Sequence, residues 1–170
     1  MLERVLVGFD GSHHARRACE LAIEVAARFG SAVTLVVVRP PKAGGPDPAL
    51  ENLVPVAGES KAFAAMLEEV QSRALSAGAT HCDTVYLFGD PLEAILAWVH
   101  RHPQDLIVVG SRGLSRGRRL LLGSISSGLV NSAPCPVLVV RGHHGGRPRS
   151  SSGSAPSAGE VPSPDGTGFI

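Results

Sequence analysis

Lysine is almost missing from this chain: Lys42 and Lys61 are the only two, so arginine carries the basic side of the charge balance. That balance is sixteen Lys and Arg against fifteen Asp and Glu, a net charge of +1. A nearly neutral chain is not a polyelectrolyte, and bulk charge gives no reason to read it as a nucleic-acid binder. Cysteine is equally scarce. Cys19, Cys82 and Cys135 are widely spaced, odd in number and form no CxxC pair, so they read as small buried hydrophobes rather than as a redox or metal centre. No apolar run approaches the ~20 residues that span a bilayer, and the opening "MLERVLVGFDGS" carries no basic leader or cleavage site. The expectation is a cytoplasmic protein without membrane partners. Two familiar phosphate signatures, GxxxxGK[ST] and GxGxxG, are also missing, as is an SGGxDS loop. An ordinary P-loop ATPase and a typical dinucleotide dehydrogenase are therefore disfavoured.

At 170 residues, with 44% hydrophobic content, the chain has room for one stable core. Val5 to Phe9 is a short apolar run closed by "DGS"; Ala15, Ala18, Ala22, Val25 and Phe29 then recur at helical steps. Ser12 is placed to cap that helix and Gly30 to end it. Ala32 to Val38 is β-branched without polar alternation, as in a strand covered on both faces. Arg39 to Gly58 is rich in proline and glycine and reads as a long loop with room for a short helical turn: either a functional lid or a tolerated insertion. Phe63, Met66, Leu67, Val70 and Ala74 mark a second helix ending at Gly78, and "CDTVYLF" a third strand. In "GDPLEAILAWVHRH", Asp90 as cap, Pro91 at the first position and Glu93 three residues after the cap start a third helix. "DLIVVGS", "GSISSGLVNSA" and "PVLVVR" complete the alternation as strand, helix and strand.

Strands alternating with helices predict a doubly wound α/β sandwich, Rossmann-like, with about five parallel strands and helices on both faces. Residues 1–142 form the predicted domain. Residues 143–170, dense in Gly, Ser and Pro with almost no large apolar side chain, are expected to be disordered. In such sheets ligands bind beyond the carboxyl ends of the strands, where strand order reverses. Both "GFDGS" and "VVGSRG" lie at such ends.

The stretch Val108 to Gly128, "VVGSRGLSRGRRLLLGSISSG", is where the chemistry concentrates. Phosphate groups need inward-pointing backbone N–H groups and no side chains in the way, which glycine permits through close approach and positive φ. Gly110 and Gly113 bracket a turn, and Gly123 and Ser124 open a helix whose first N–H groups and positive dipole end suit an anion. Ser124 and Ser126 can add hydroxyls, and Arg112, Arg116, Arg118 or Arg119 can neutralise charge. A triphosphate fits this arrangement. An ordinary turn followed by a serine cap is the plain alternative, and at Asp10 an Asx turn is.

The spacing Gly-x2-Gly-x9-Gly-[Ser/Thr], together with "VLVGFDGS" and "SAPCPVLVVR", resembles the ATP-binding subgroup of the universal stress protein family over roughly residues 3 to 141. The resemblance implies strand order 3-2-1-4-5 and an adenine-nucleotide site. It places Gly8 beside the nucleotide, Asp10 on the adenosine part and the Val38 backbone at the adenine. It also implies Val109, Gly110, Arg112 and Gly113 in the loop after strand four, and Gly123, Ser124, Ile125 and Ser126 around the phosphates. The cofactors implied are ATP and Mg2+, the metal held mainly through the phosphates. A homodimer through Val137–Val140 is implied as well.

Hydrolysis would need a group that positions water, and His13 and Asp47 could serve only if their loops fold inward. Binding without efficient turnover, in a stress-response regulatory module, is the leading expectation. A slow ATPase or a protein phosphorylating its own serines near Ser124 is one alternative. A nucleotide-independent dimeric module is the other. His100 and His102 read as a solvated helix end rather than a zinc site.

Overall fold

The computed structural model describes residues 2–39, 60–113 and 122–141. Five strands and four helices alternate along these segments: β1 (Arg4–Gly8), α1 (His13–Phe29), β2 (Ala32–Arg39), α2 (Lys61–Ala77), β3 (Cys82–Phe88), α3 (Pro91–Arg101), β4 (Leu106–Gly110), α4 (Ser124–Ser132) and β5 (Val137–Val140). The strands form one parallel sheet in the order β3-β2-β1-β4-β5, as expected. Most of the 39–58 loop, including its suggested helical turn, and the whole 143–170 tail lie outside the described residues.

The strands lack polar alternation because each face of the sheet has its own core. Val5, Val7, Val33, Leu35 and Val37 pack with Ala18, Ala22, Ala26, Leu67 and Val70 of α1 and α2. Leu6, Val36, Ile107 and Val109 point the other way, into Ile95, Trp98, Val99 and Leu129 of α3 and α4. This two-residue alternation between apolar layers is what a doubly covered parallel sheet requires. Phe29 is an exception to the α1 pattern. It is the last residue of the helix, at the turn into β2, and is 55% exposed.

Helix ends follow local chemistry. Ser12 Oγ accepts from Ala15 N, Ser60 Oγ from Phe63 N, and Asp90 Oδ1 from Leu92 N and Glu93 N; Gly30 and Gly78 end α1 and α2 in the left-handed region. Trp98, the single tryptophan, is buried in α3 and stacked at 4.4 Å on the exposed His102 ring. At the amino end of the sheet, Asp105 Oδ2 accepts from Glu3 N at 2.8 Å and Arg4 N at 2.9 Å, fastening β1 to the start of β4. The chain steps outward from β1 to β3, then returns to place β4 on the other side of β1. The β1 and β4 carboxyl ends are thus neighbours leading to helices on opposite faces, which leaves a crevice between them.

Candidate nucleotide site

A cleft of ≈ 260 Å³ occupies that crevice. Gly8, Phe9 and Asp10 contribute from the end of β1, Val36 and Val38 from β2, and Val109, Gly110, Arg112 and Gly113 from β4 and its exit. Gly123, Ser124, Ile125 and Ser126 contribute from the start of α4. All eleven residues singled out from the sequence line this one cleft. Five more join them: Phe9, Ala15, Val36, Pro91 and Ile95. One of these was readable by spacing, since Val36 shares a strand face with Val38. Nothing local marks Ala15, which reaches the cleft only because α1 is seated against β4.

The turn after β1 is a hydrogen-bonded unit. Gly11 takes the left-handed region at φ 80°, Asp10 Oδ1 accepts from Ser12 N at 2.9 Å, and Arg16 Nε donates to Gly11 O at 3.3 Å. The Asx turn and a place in the cleft are therefore compatible roles for Asp10. Beyond β4, Ser111 N donates to Val140 O and Gly123 N donates to Ser111 O, both at 2.7 Å. The second bond brings the start of α4 back to the end of β4. Residues 114–121, with Arg116, Arg118 and Arg119, lie outside the described residues, as does Asp47.

The glycines correct one expectation. Gly110 and Gly113 do not use positive φ, and their nearest neighbours are protein atoms. A Cβ on Gly110 would meet His14 C at 2.8 Å and Ala15 N at 3.0 Å, and one on Gly113 would meet Asp10 Oδ2 at 2.7 Å. Gly123 differs: its nearest atom would be Ser111 O at 3.4 Å, an ordinary contact. Gly123 rather than Ser124 is the N-cap, and no side chain caps α4. Side chains cap the other three described helices. Among the described residues, the first N–H groups of α4 have no side-chain cap, and the residues that carry them line the cleft. The hydroxyls divide as well. Ser124 is exposed, whereas Ser126 is buried and its Oγ donates to Gly123 O at 3.0 Å, with Ser111 O at 3.4 Å. Its one proton is committed to the fold, so Ser126 can meet a ligand only as an acceptor or after breaking that bond.

Groups outside the cleft are chemically quiet. Burial pushes the Cys19 thiol up to about 12, helped by Cys82 and Glu20, and burial pushes Cys82 to about 11, helped by Asp83. Neither is a thiolate nucleophile near neutral pH. His13 is exposed and does not line the cleft. Among the described residues, no three His, Cys, Asp or Glu side chains gather as a metal site, and no helix is long and apolar enough to cross a membrane.

Comparison with known proteins agrees with this architecture. Residues 1–141 match the model of the universal stress protein family. A universal stress protein of Thermus aquaticus is 37% identical over 141 residues, 83% of this chain and 100% of that one. UspA of Lactobacillus plantarum superposes with TM-score 0.69 at 27% identity, covering 82% and 98% of the two chains. A universal stress protein solved in complex with cAMP gives TM-score 0.62 at 29% identity, covering 81% and 96%. More distant structural neighbours were solved with AMP and with dAMP. With the fold, the strand order and the family match in agreement, the chain belongs to the universal stress protein family.

Proposed function

We propose that this protein binds an adenine nucleotide, ATP with Mg2+, in the β1–β4 cleft and acts as a nucleotide-dependent regulatory module in the stress response. The observation that carries the reading is the N-terminus of α4 in the cleft lining, without a side-chain cap among the described residues, where first-turn N–H groups and the helix dipole favour phosphate. The apolar side chains of Val36, Val38, Pro91 and Ile95 offer the other end a surface for a flat base. Asp10 is the single carboxylate in the lining. The metal would therefore be held mainly through the phosphates. Neighbours with AMP, cAMP or dAMP bound support the nucleotide class. Strand β5 is an edge of the sheet with Val137 to Val140 only half-buried, which supports pairing of two copies along it.

The test is mass spectrometry of nucleotide released from the freshly purified protein, followed by calorimetric titration with ATP and Mg2+. Stoichiometric adenine nucleotide in the wild type and loss of binding in Gly123→Val are expected. Gly123 is the informative position because it lines the cleft and a Cβ there makes only ordinary contacts with the chain, the nearest being Ser111 O at 3.4 Å. Unchanged ATP affinity in Gly123→Val would overturn the placement. An empty wild type that does not titrate would favour the nucleotide-independent dimeric module. Labelled phosphate retained on the protein would point to self-phosphorylation near the exposed Ser124.

A further inference from the structure

The glycines at 110, 113 and 123 answer three different steric demands. At Gly123 a Cβ would make only ordinary contacts, and Gly110 lets the α1 backbone approach β4. At Gly113 the neighbour is a functional group, the Asp10 carboxylate, and φ there lies outside the left-handed region. No left-handed φ reserves position 113 for glycine. The atom that a side chain there would have to move is Asp10 Oδ2.

We propose that Gly113 is a positioning residue that acts through Asp10. Its missing side chain is the space in which the Asp10 carboxylate stands, and this fixes how Asp10 is presented to the cleft; the consequence for ligand affinity rests on the nucleotide reading above. A Cβ at 113 would come within 2.7 Å of Asp10 Oδ2 but only 3.9 Å from Asp10 Cγ, so the carboxylate tip is what must yield. A carboxylate is planar and rigid. Turning the carboxylate about Cβ–Cγ to move Oδ2 moves Oδ1 with it and so would disturb the bond it accepts from Ser12 N at 2.9 Å. The group that moves is the end of a flexible side chain rather than backbone, so the fold absorbs the change while the site does not. Gly110→Ala meets backbone instead, and there the cost falls on the fold.

The experiment compares wild type, Gly113→Ala, Asp10→Ala and the double variant, using AMP, whose single phosphate keeps the measurement on the adenosine half. Gly113→Ala should melt within a degree or two of wild type yet bind AMP about tenfold more weakly, the equivalent of one charge-assisted hydrogen bond. In the Asp10→Ala background, where no carboxylate stands in the way, adding Gly113→Ala should change AMP affinity no further. A ligand-free 1H–15N spectrum supplies the independent arm: the Ser12 amide should shift and exchange faster in Gly113→Ala, with the α1 interior unchanged. An unmoved Ser12 amide, or the same loss of AMP affinity in both backgrounds, would overturn the proposal. Failure of the wild type to bind AMP would overturn the nucleotide consequence, while the Ser12 amide would still decide the Gly113–Asp10 coupling.

Discussion

The carbonyl carbon of His14 stands 2.8 Å from the point that a β-carbon on Gly110 would occupy, so the first turn of α1 is seated directly on the end of β4. Gly110→Ala would force helix and strand apart, because it meets the His14 carbonyl carbon and Cβ at 2.8 Å and Ala15 N at 3.0 Å, none of which can turn aside. The expected result is a loss of about 1–3 kcal/mol, the usual cost of overpacking, seen as a lower urea midpoint at unchanged m-value. The cleft should suffer with it, because Ala15 lies in both the contact and the lining.

Ser124 and Ser126 should separate stability from binding. Ser126→Ala removes a buried hydroxyl bonded to Gly123 O and is expected to cost about 0.5–1.5 kcal/mol with little effect on ATP affinity. Ser124→Ala, at an exposed position, should leave the melting temperature unchanged and weaken ATP binding. Thermal melts and calorimetric titrations of both variants check the pair.

Asp105 gives the fold an acid-sensitive clasp. The Arg4 and Glu3 N–H groups hold its carboxyl below the ordinary carboxylate range. A carboxyl with a depressed folded-state pKa contributes stability that is fully present above its unfolded value and is lost as pH falls through the folded one. Asp105→Ala should therefore lower the urea midpoint at neutral pH, and the gap to wild type should close on acidification. A gap that does not narrow on acidification would count against the assignment.

The thiols should react in order of burial. Cys19 and Cys82 are buried and pushed up to about 12 and 11, while Cys135 is only half-buried and raised less. Iodoacetamide at pH 8 followed by peptide mass spectrometry should label Cys135 first. Labelling of the other two should track global unfolding in urea.

The fold was legible because its signals are local. Ser12, Asp90 and Pro91 announce helix starts, Gly30 and Gly78 announce ends, and unbroken β-branched runs announce strands covered on both faces. Eleven of the cleft's residues were legible through glycine spacing and a family likeness, but the reasons for the glycines were not. That Gly110 accommodates α1 and Gly113 accommodates Asp10 depends on atoms about a hundred positions away in the chain, which no local pattern records. The same holds for Ser126, whose hydroxyl reads as a ligand donor until its acceptor at Gly123 is seen. Phe29 fits the helical period yet lies exposed, because periodicity does not say where the covering layer ends.

Helix α3 carries Pro91 and Ile95 in the cleft wall at one end and Trp98, stacked on His102, a turn further on. With no other tryptophan in the chain, intrinsic emission excited at the indole band comes from one place, on the helix that a ligand would touch. Rapid-mixing fluorescence can therefore follow arrival and departure at the cleft without a label. A His102→Ala variant, altering the ring stacked on the indole, would calibrate how much of the signal belongs to that pair.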